Sequence, residues 1–225
     1  MDLQLNDRVI LVVGGRGIVG RAVVDTLRQE GAVALSSSRS PKADVQMDLA
    51  DDDSVRGAIR RVLDEHGRLD GLVVSAAPPA STLAPSQSSA PDAVGQAIDT
   101  KALGFLRVAN AVLPTFLDAH YGRIVGVSGQ NAWSTSSIMA AARNAVLNLA
   151  AKGLADEHAG SGLTVNTVNP GPVGERNGAI PSIGAAGWST PDQVASTITY
   201  LVSPIAGAIS GESIAVGHRI RGVNV

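Results

Sequence analysis

The chain contains no cysteine, which removes disulfides, thiolate metal sites and a cysteine nucleophile together. Aromatic side chains are scarce, at 3% of 225 residues against 44% hydrophobic overall. Any core must therefore be packed with valine, alanine, leucine and isoleucine, the filling of parallel strands and the helices that cover them. Positive charge is not in excess: the formal net charge is −2, which argues against a nucleic-acid backbone as partner. No stretch approaches the ~18 apolar residues of a membrane span. The opening residues, MDLQLNDRVILVV, carry an early acid and an apolar run too short for the core of a signal peptide. These absences make a soluble, cytoplasmic protein with a small-molecule partner the expectation, with no nucleic acid, membrane or metal ion.

What is present alternates. Short β-branched runs at Arg8 to Val13, Ala32 to Leu35, Leu72 to Ser75, Arg123 to Val127, Leu163 to Val168 and Ser213 to Val216 read as buried strands. Between them, Ile18 to Glu30 has helical apolar spacing and stops at Gly31, and Asp52 to His66 opens on acids at its positive end and stops at Gly67. Thr190-Pro191-Asp192-Gln193 is a capping box with proline at the first helical position, so a helix should run from there to about Val202. This βαβα order implies one α/β domain over residues 1–225: a doubly wound parallel sheet of the Rossmann type, with ligands beyond the carboxyl ends of its strands. Pro78 to Pro91 reads as a surface loop, and Gly171 to Ser189 as a Gly/Pro-rich segment overhanging the ligand crevice.

The first strand runs directly into Gly14-Gly15-Arg16-Gly17-Ile18-Val19-Gly20 and then a helix, the context that a GxGxxG spacing needs in order to carry meaning. Gly15, Gly17 and Gly20 permit a tight turn, close approach to a pyrophosphate and close helix-to-strand packing. The plainer alternative is an ordinary glycine-rich turn. At the carboxyl end of the second strand, Ser36-Ser37-Ser38-Arg39 holds no carboxylate for ribose hydroxyls, whereas Arg39, with Arg16 inside the turn, offers two cations for a 2′-phosphate. NADP(H) is therefore expected over NAD(H), unless both arginines are simply solvated.

At this point the chain resembles the short-chain dehydrogenase/reductase family over nearly its whole length. Asp48-Leu49 matches the family's adenine-contacting acid and its neighbour, and Asp70 to Ala77 the strand that ends in its Asn-Asn-Ala-Gly turn. Gly104 to Pro114 matches its long interface helix, and Gly122 to Val125 the strand leading to the catalytic serine. Leu163 to Asn166 with Asn169-Pro170-Gly171-Pro172-Val173 matches the segment that closes over nicotinamide, and Ile209 to Glu212 the last turn before the final strand. The resemblance implies a cofactor site made of Gly14, Gly15, Arg16, Gly17, Ile18, Gly20, Ser38, Arg39, Asp48, Leu49, Ser75, Ala76, Ala77, Pro170, Gly171 and Val173. The glycine motif departs from the usual form: Val13 stands for threonine, and the middle glycine lies at Gly17 instead of at Ile18.

The family's chemistry uses a tyrosine acid/base, a lysine four residues later, a carbonyl-orienting serine and an asparagine. Aligned without gaps, these positions fall on Ala140, Asn144, Gly129 with Ser128 beside it, and Lys101; a shift of one residue gives Met139 and Arg143. The two tyrosines, Tyr121 and Tyr200, lie elsewhere in the pattern. A hydride can still be exchanged, because the nicotinamide carries that step, but a forming alkoxide then lacks its usual donor, worth about a hundred- to ten-thousand-fold.

Ser128 and Lys101 are the replacement candidates. Lys101 would act as acid, base or Schiff-base amine, or else be a helix lysine whose ammonium reaches solvent. Gln130 and Asn131 could contact a carbonyl, and Arg143 could hold an acidic substrate. His66, His120 and His158 lie near expected helix ends and His218 in the C-terminal segment, while Trp133 and Trp188 either line a pocket or pack in the core.

Three functions remain open: an NADP(H)-dependent oxidoreductase of carbonyls or enones with an altered catalytic set, a non-redox elimination, cyclisation or isomerisation catalyst, and a non-catalytic NADP(H)-binding protein or oligomer partner. The resemblance also implies a homodimer or homotetramer formed through the helices that begin at Gly104 and Met139.

Overall fold

In the computed structural model, which describes residues 1–76, 89–134, 137–174 and 187–218, the six apolar runs and one further two-residue segment form seven strands. They are β1 (Val9–Val13), β2 (Val33–Ser38), β3 (Val45–Gln46), β4 (Gly71–Val74), β5 (Gly122–Val127), β6 (Leu163–Pro170) and β7 (Ser213–Val216). All pair in parallel, in the order β3-β2-β1-β4-β5-β6-β7. The chain winds outward first to one side of β1 and then to the other, so the crossover loops part above β1 and β4 and leave a crevice at the carboxyl edge.

Strand alternation divides the core into two layers. From β1, Val9, Leu11 and Val13 pack beneath α2 (Asp52–His66), α4 (Gly104–Asp118) and α5 (Ile138–Glu157), where Val55, Ile59, Phe105, Val108, Phe116 and Leu147 are buried. Ile10 and Val12 point the other way, onto Val23, Val24 and Leu27 of α1 (Ile18–Gln29) and Val194, Ile198 and Leu201 of α6 (Pro191–Leu201). With β-branched side chains filling both faces of one strand, neither face can turn to water.

The helix boundaries follow their caps. Asp51 accepts from the amides of Asp53 and Ser54 at the start of α2, and Gly67 closes that helix at φ 70°. Thr190 and Gln193 exchange the reciprocal hydrogen bonds of a capping box at 3.2 and 3.0 Å, and α6 then ends at Leu201, one residue short of expectation.

Three readings change. β2 continues through Ser36, Ser37 and Ser38, which pair with β1 and β3 although no apolar pattern marks them. The loop expected to reach Pro91 ends earlier: Pro91 opens α3 (Pro91–Ile98), where its missing N–H is no loss. α3 passes through a π-helical turn, Asp99–Leu103, into α4, which runs through Pro114 to Asp118. Most of the two expected loops, 77–88 and 175–186, lies outside the described residues.

The amino-terminal edge of the sheet is tied by charge. Buried Asp70 accepts from Arg8 at 2.8 Å, from Arg68 at 2.8 and 2.6 Å, and from the Val9 amide at 2.9 Å. Burial opposes its ionisation, but the hydrogen bonds from Arg68, Arg8 and Val9 together outweigh burial and hold the carboxyl below its ordinary range. The Tyr121 ring lies between the guanidinium groups of Arg8 and Arg123, at 4.6 and 4.3 Å, and Arg123 donates to the carbonyls of Ser203, Gly122 and Gly162.

Asp70→Asn should cost about 2 kcal/mol at neutral pH. Because the folded-state pKa lies below the unfolded one, the gap between wild type and variant is full above about pH 4 and closes as the pH falls further. Thermal melts across that range would measure it.

Candidate active site

The turn after β1 is built on backbone contact. Gly14 has φ +80°, and a side chain there would meet the Ala76 amide at 2.6 Å. One on Gly15 would meet Cβ of Ser36 at 2.8 Å, and one on Gly20 the Gly14 carbonyl at 2.2 Å. α1 therefore starts hard against the strand ends. Its N-cap, Gly17, offers no side-chain acceptor, and its first turn holds no acid, so the orphan amides there remain available to an outside anion.

Beside this turn opens a crevice of about 670 Å³. Of the expected cofactor residues, Gly14, Gly17, Ser38, Arg39, Asp48, Leu49, Ser75 and Ala76 line it together, as an extended dinucleotide requires. Gly15 and Gly20 act behind the wall, as spacers that permit the close packing. Exposed Ile18 stands at the first position of α1, outside the lining, and Ala77 falls outside the described residues. Pro170 ends β6 opposite Val216, the Gly171 amide donates to the Val216 carbonyl at 3.1 Å, and Val173 bridges Ser189. These anchor the segment expected to close over the cofactor, but they do not line the crevice.

The two expected cations are separated. Arg39 is on the crevice wall, whereas Arg16 turns outward, donates to the Lys42 carbonyl at 3.0 Å and faces a separate groove with Arg21 and Arg28. The arginine that shares a cavity with Arg39 is Arg61 of α2, in a 350 Å³ recess that adjoins the crevice through Arg39, Met47 and Asp48. Nothing in the spacing of the sequence marks Arg61. The first acid after β2, Asp44, is held by Arg28 at 3.0 Å and by the Ser36 amide at 2.8 Å, off the crevice.

Past the crevice, the carboxyl ends of β5 and β6 carry a polar network. Lys101 sits on the π-helical turn, 7% exposed, and its Nζ donates to the Ser128 carbonyl at 3.0 Å. The ammonium does not reach solvent. Burial, together with the field of Arg143, pushes its pKa down to about 7. The Ser128 hydroxyl donates to the Asn144 carbonyl at 3.1 Å, so the structure brings Ser128, Lys101 and Asn144 into one cluster, with Ala140 buried one turn back on α5.

Two asparagines extend the network: Asn148, which sequence reasoning passed over, and Asn169, expected only as part of the segment that closes over the cofactor. Asn169 accepts from Asn148 at 3.0 Å and from the Gly129 amide at 3.4 Å, and donates to the Thr167 hydroxyl at 3.3 Å. Gln130 donates to the carbonyls of Val216 and His218, a structural tie.

Neither tyrosine belongs to this edge. Tyr121 precedes β5, and Tyr200 lies in the last turn of α6, beside the Ser203 carbonyl that Arg123 holds. Both are at the amino-terminal edge. His66 and His158 sit at the ends of α2 and α5 and His120 just beyond α4, near the helix ends where the sequence placed them. Trp133 is half-buried in a short 3₁₀ turn, and Trp188 is exposed beside Gly174. Among the described residues, no helix is long and apolar enough to cross a membrane.

Known proteins resemble the chain in both sequence and fold. The sequence profile of the family described as "Enoyl-(Acyl carrier protein) reductase" matches residues 16–218. The acetoacetyl-CoA reductase of Paracoccus denitrificans is 28% identical, over 92% of this chain and 95% of that protein. The 3-oxoacyl-[acyl-carrier-protein] reductase FabG of Vibrio harveyi is 26% identical, over 95% of this chain and 97% of its own. In fold, the chain is similar to the aldohexose dehydrogenase of Thermoplasma acidophilum, with a TM-score of 0.82 at 21% identity, covering 96% of this chain and 94% of that one.

The depressed pKa of Lys101 has a consequence for stability. Between about pH 7 and pH 10.5, the unfolded chain binds a proton at this amine that the folded protein does not. Lowering the pH from 10 to 7 should therefore reduce the Tm of the wild type relative to Lys101→Met, and paired melts at the two pH values would show it.

Proposed function

The chain belongs to the short-chain dehydrogenase/reductase family, and we propose that it is an NADP(H)-dependent oxidoreductase acting on a small carbonyl or enone substrate. The observation that carries this reading is the single crevice that gathers the glycine turn, Ser38, Arg39, Asp48 and the end of β4. Its chemistry fits a dinucleotide: the free amides of α1 for the pyrophosphate, and Arg39 for a 2′-phosphate. A bound NADPH would supply the hydride, so the chain's own residues need only bind, orient and manage a proton. The reactions named for the two curated relatives are carbonyl reductions, which supports a carbonyl substrate here.

In this reading Ala140 and Asn144 stand at the family's tyrosine and lysine positions, and Ser128 with Lys101 forms an altered catalytic set at the ends of β5. The exposed Leu103 beside α4 and the exposed Ile138 and Leu149 of α5 support assembly as a homodimer or homotetramer through these helices.

Purified protein mixed with NADPH and a panel of ketones, aldehydes and enones should oxidise the cofactor. Absence of oxidation above the buffer rate, together with product formation in cofactor-free protein, would favour a non-redox catalyst instead. Arg39→Ala should weaken NADPH about tenfold, the scale of one charge-assisted hydrogen bond, and leave NADH binding nearly unchanged. Calorimetry with both nucleotides separates a lost phosphate contact from a damaged crevice, which would weaken both equally.

A further inference from the structure

Lys101 carries a charge for which the described residues provide no counter-ion. The π-helical turn, closed by the Gly104 amide on the Asp99 carbonyl, inserts an extra residue into an otherwise continuous helix and brings Lys101 against the end of β5. Among the described residues its Nζ makes one hydrogen bond, to the Ser128 carbonyl, although an ammonium has three N–H groups. No carboxylate among the described residues answers it. Asp99 on the same turn is held by Arg107 of α4 at 2.7 Å, Asp92 lies exposed at the far end of α3, and the charged group that acts on Lys101 from α5 is the cation Arg143. A methionine would fill this buried space without the desolvation cost of the ammonium, so packing gives no reason for the charge.

Position gives one. The Ser128 carbonyl lies directly past the carboxyl end of β5, on the edge above which a doubly wound sheet binds its ligand, and the neighbouring residue Thr100 lines the crevice. The competing donor, the Ser128 hydroxyl, is already committed to the Asn144 carbonyl, and both phenols are at the opposite edge of the sheet. Building on the reductase reading above, we propose that Lys101 is the proton donor of the site and that its substrate is a ketone or aldehyde whose oxygen it protonates. As hydride from NADPH forms the new C–H bond at the carbonyl carbon, the C=O π pair moves onto oxygen. An N–H bond of the ammonium breaks as the O–H bond of the alcohol forms. NADPH is oxidised, the carbonyl is reduced, and the neutral amine regains its proton from water.

The chain has three lysines, at 42, 101 and 152, so a direct titration is feasible. In lysine-labelled protein followed by NMR, one side-chain signal should titrate near neutrality and vanish in Lys101→Met. In steady-state kinetics with NADPH and a carbonyl substrate, wild-type kcat should fall as pH rises through 7. Lys101→Met should lose about a hundredfold or more in kcat and the pH break with it, while NADPH affinity stays within about twofold. Lys101→Arg, which keeps the charge but holds its proton too tightly to give it up, should fold like wild type and remain slow. The absence of any lysine signal that titrates near neutrality would overturn the proposal. So would a Lys101→Met variant with near wild-type kcat, or one whose residual rate keeps the wild-type pH break. If the wild type oxidises NADPH with no carbonyl at all, the reductase reading fails and takes this assignment with it; turnover that ignores Lys101 sinks the assignment alone.

Discussion

The space between the end of β1 and the start of α1 admits backbone and nothing else. Gly14 lies against the Ala76 amide, Gly15 against Ser36 and Gly20 against the Gly14 carbonyl, each closer than any side chain could follow. This contact brings the amides of α1 and the ends of β2 and β4 to one point, and the crevice is the volume left between them. Arg39, Asp48 and Ser75 come from three different connections, and they face one cavity because β2 and β4 are pinned to β1, and β3 to β2, at fixed register. The glycine turn therefore determines the geometry of a site to which glycine side chains contribute no functional group.

How far the sequence foretold the molecule depended on whether a feature was local. Asp52 to His66 could be bounded to the residue, because an acidic N-terminus and a terminal glycine both act within one turn of the helix. The box at Thr190 is equally self-contained. The three serines of β2 could not be read as strand, since their conformation is imposed by pairing with β1 and β3 and they have no apolar pattern of their own. α3 was hidden behind Pro91, a residue that opens helices as readily as it ends loops. The crevice was legible wherever the glycine spacing and the family resemblance supplied a register, and eight of the expected residues line it. Arg61 was not, because it reaches Arg39 only through the placement of α2 against β3. Arg16 shows the converse: an arginine inside the turn looks convergent in sequence, yet its guanidinium leaves for the Lys42 carbonyl.

The network above β5 and β6 shows why an altered set of polar residues is compatible with an intact fold. Lys101, Ser128, Asn144, Asn148 and Asn169 bond mainly to one another and to backbone carbonyls, so they form a layer resting on the hydrophobic strata without interrupting them. The cost of burying a lysine there is borne locally, by its depressed pKa and its one carbonyl partner, and the sheet beneath retains apolar side chains on both faces.

The clasp of Asp70, Arg8, Arg68, Tyr121 and Arg123 lies at the other end of the same strands. It fastens β1, β4, β5 and the approach to β7 from below, with no member shared with the crevice. Over evolutionary time such a separation frees the upper rim to change: substitutions there are screened for what they do to chemistry, while the requirement to fold is met by residues a strand's length away. A lineage built this way can exchange one reactive group for another and pass through intermediates that still fold.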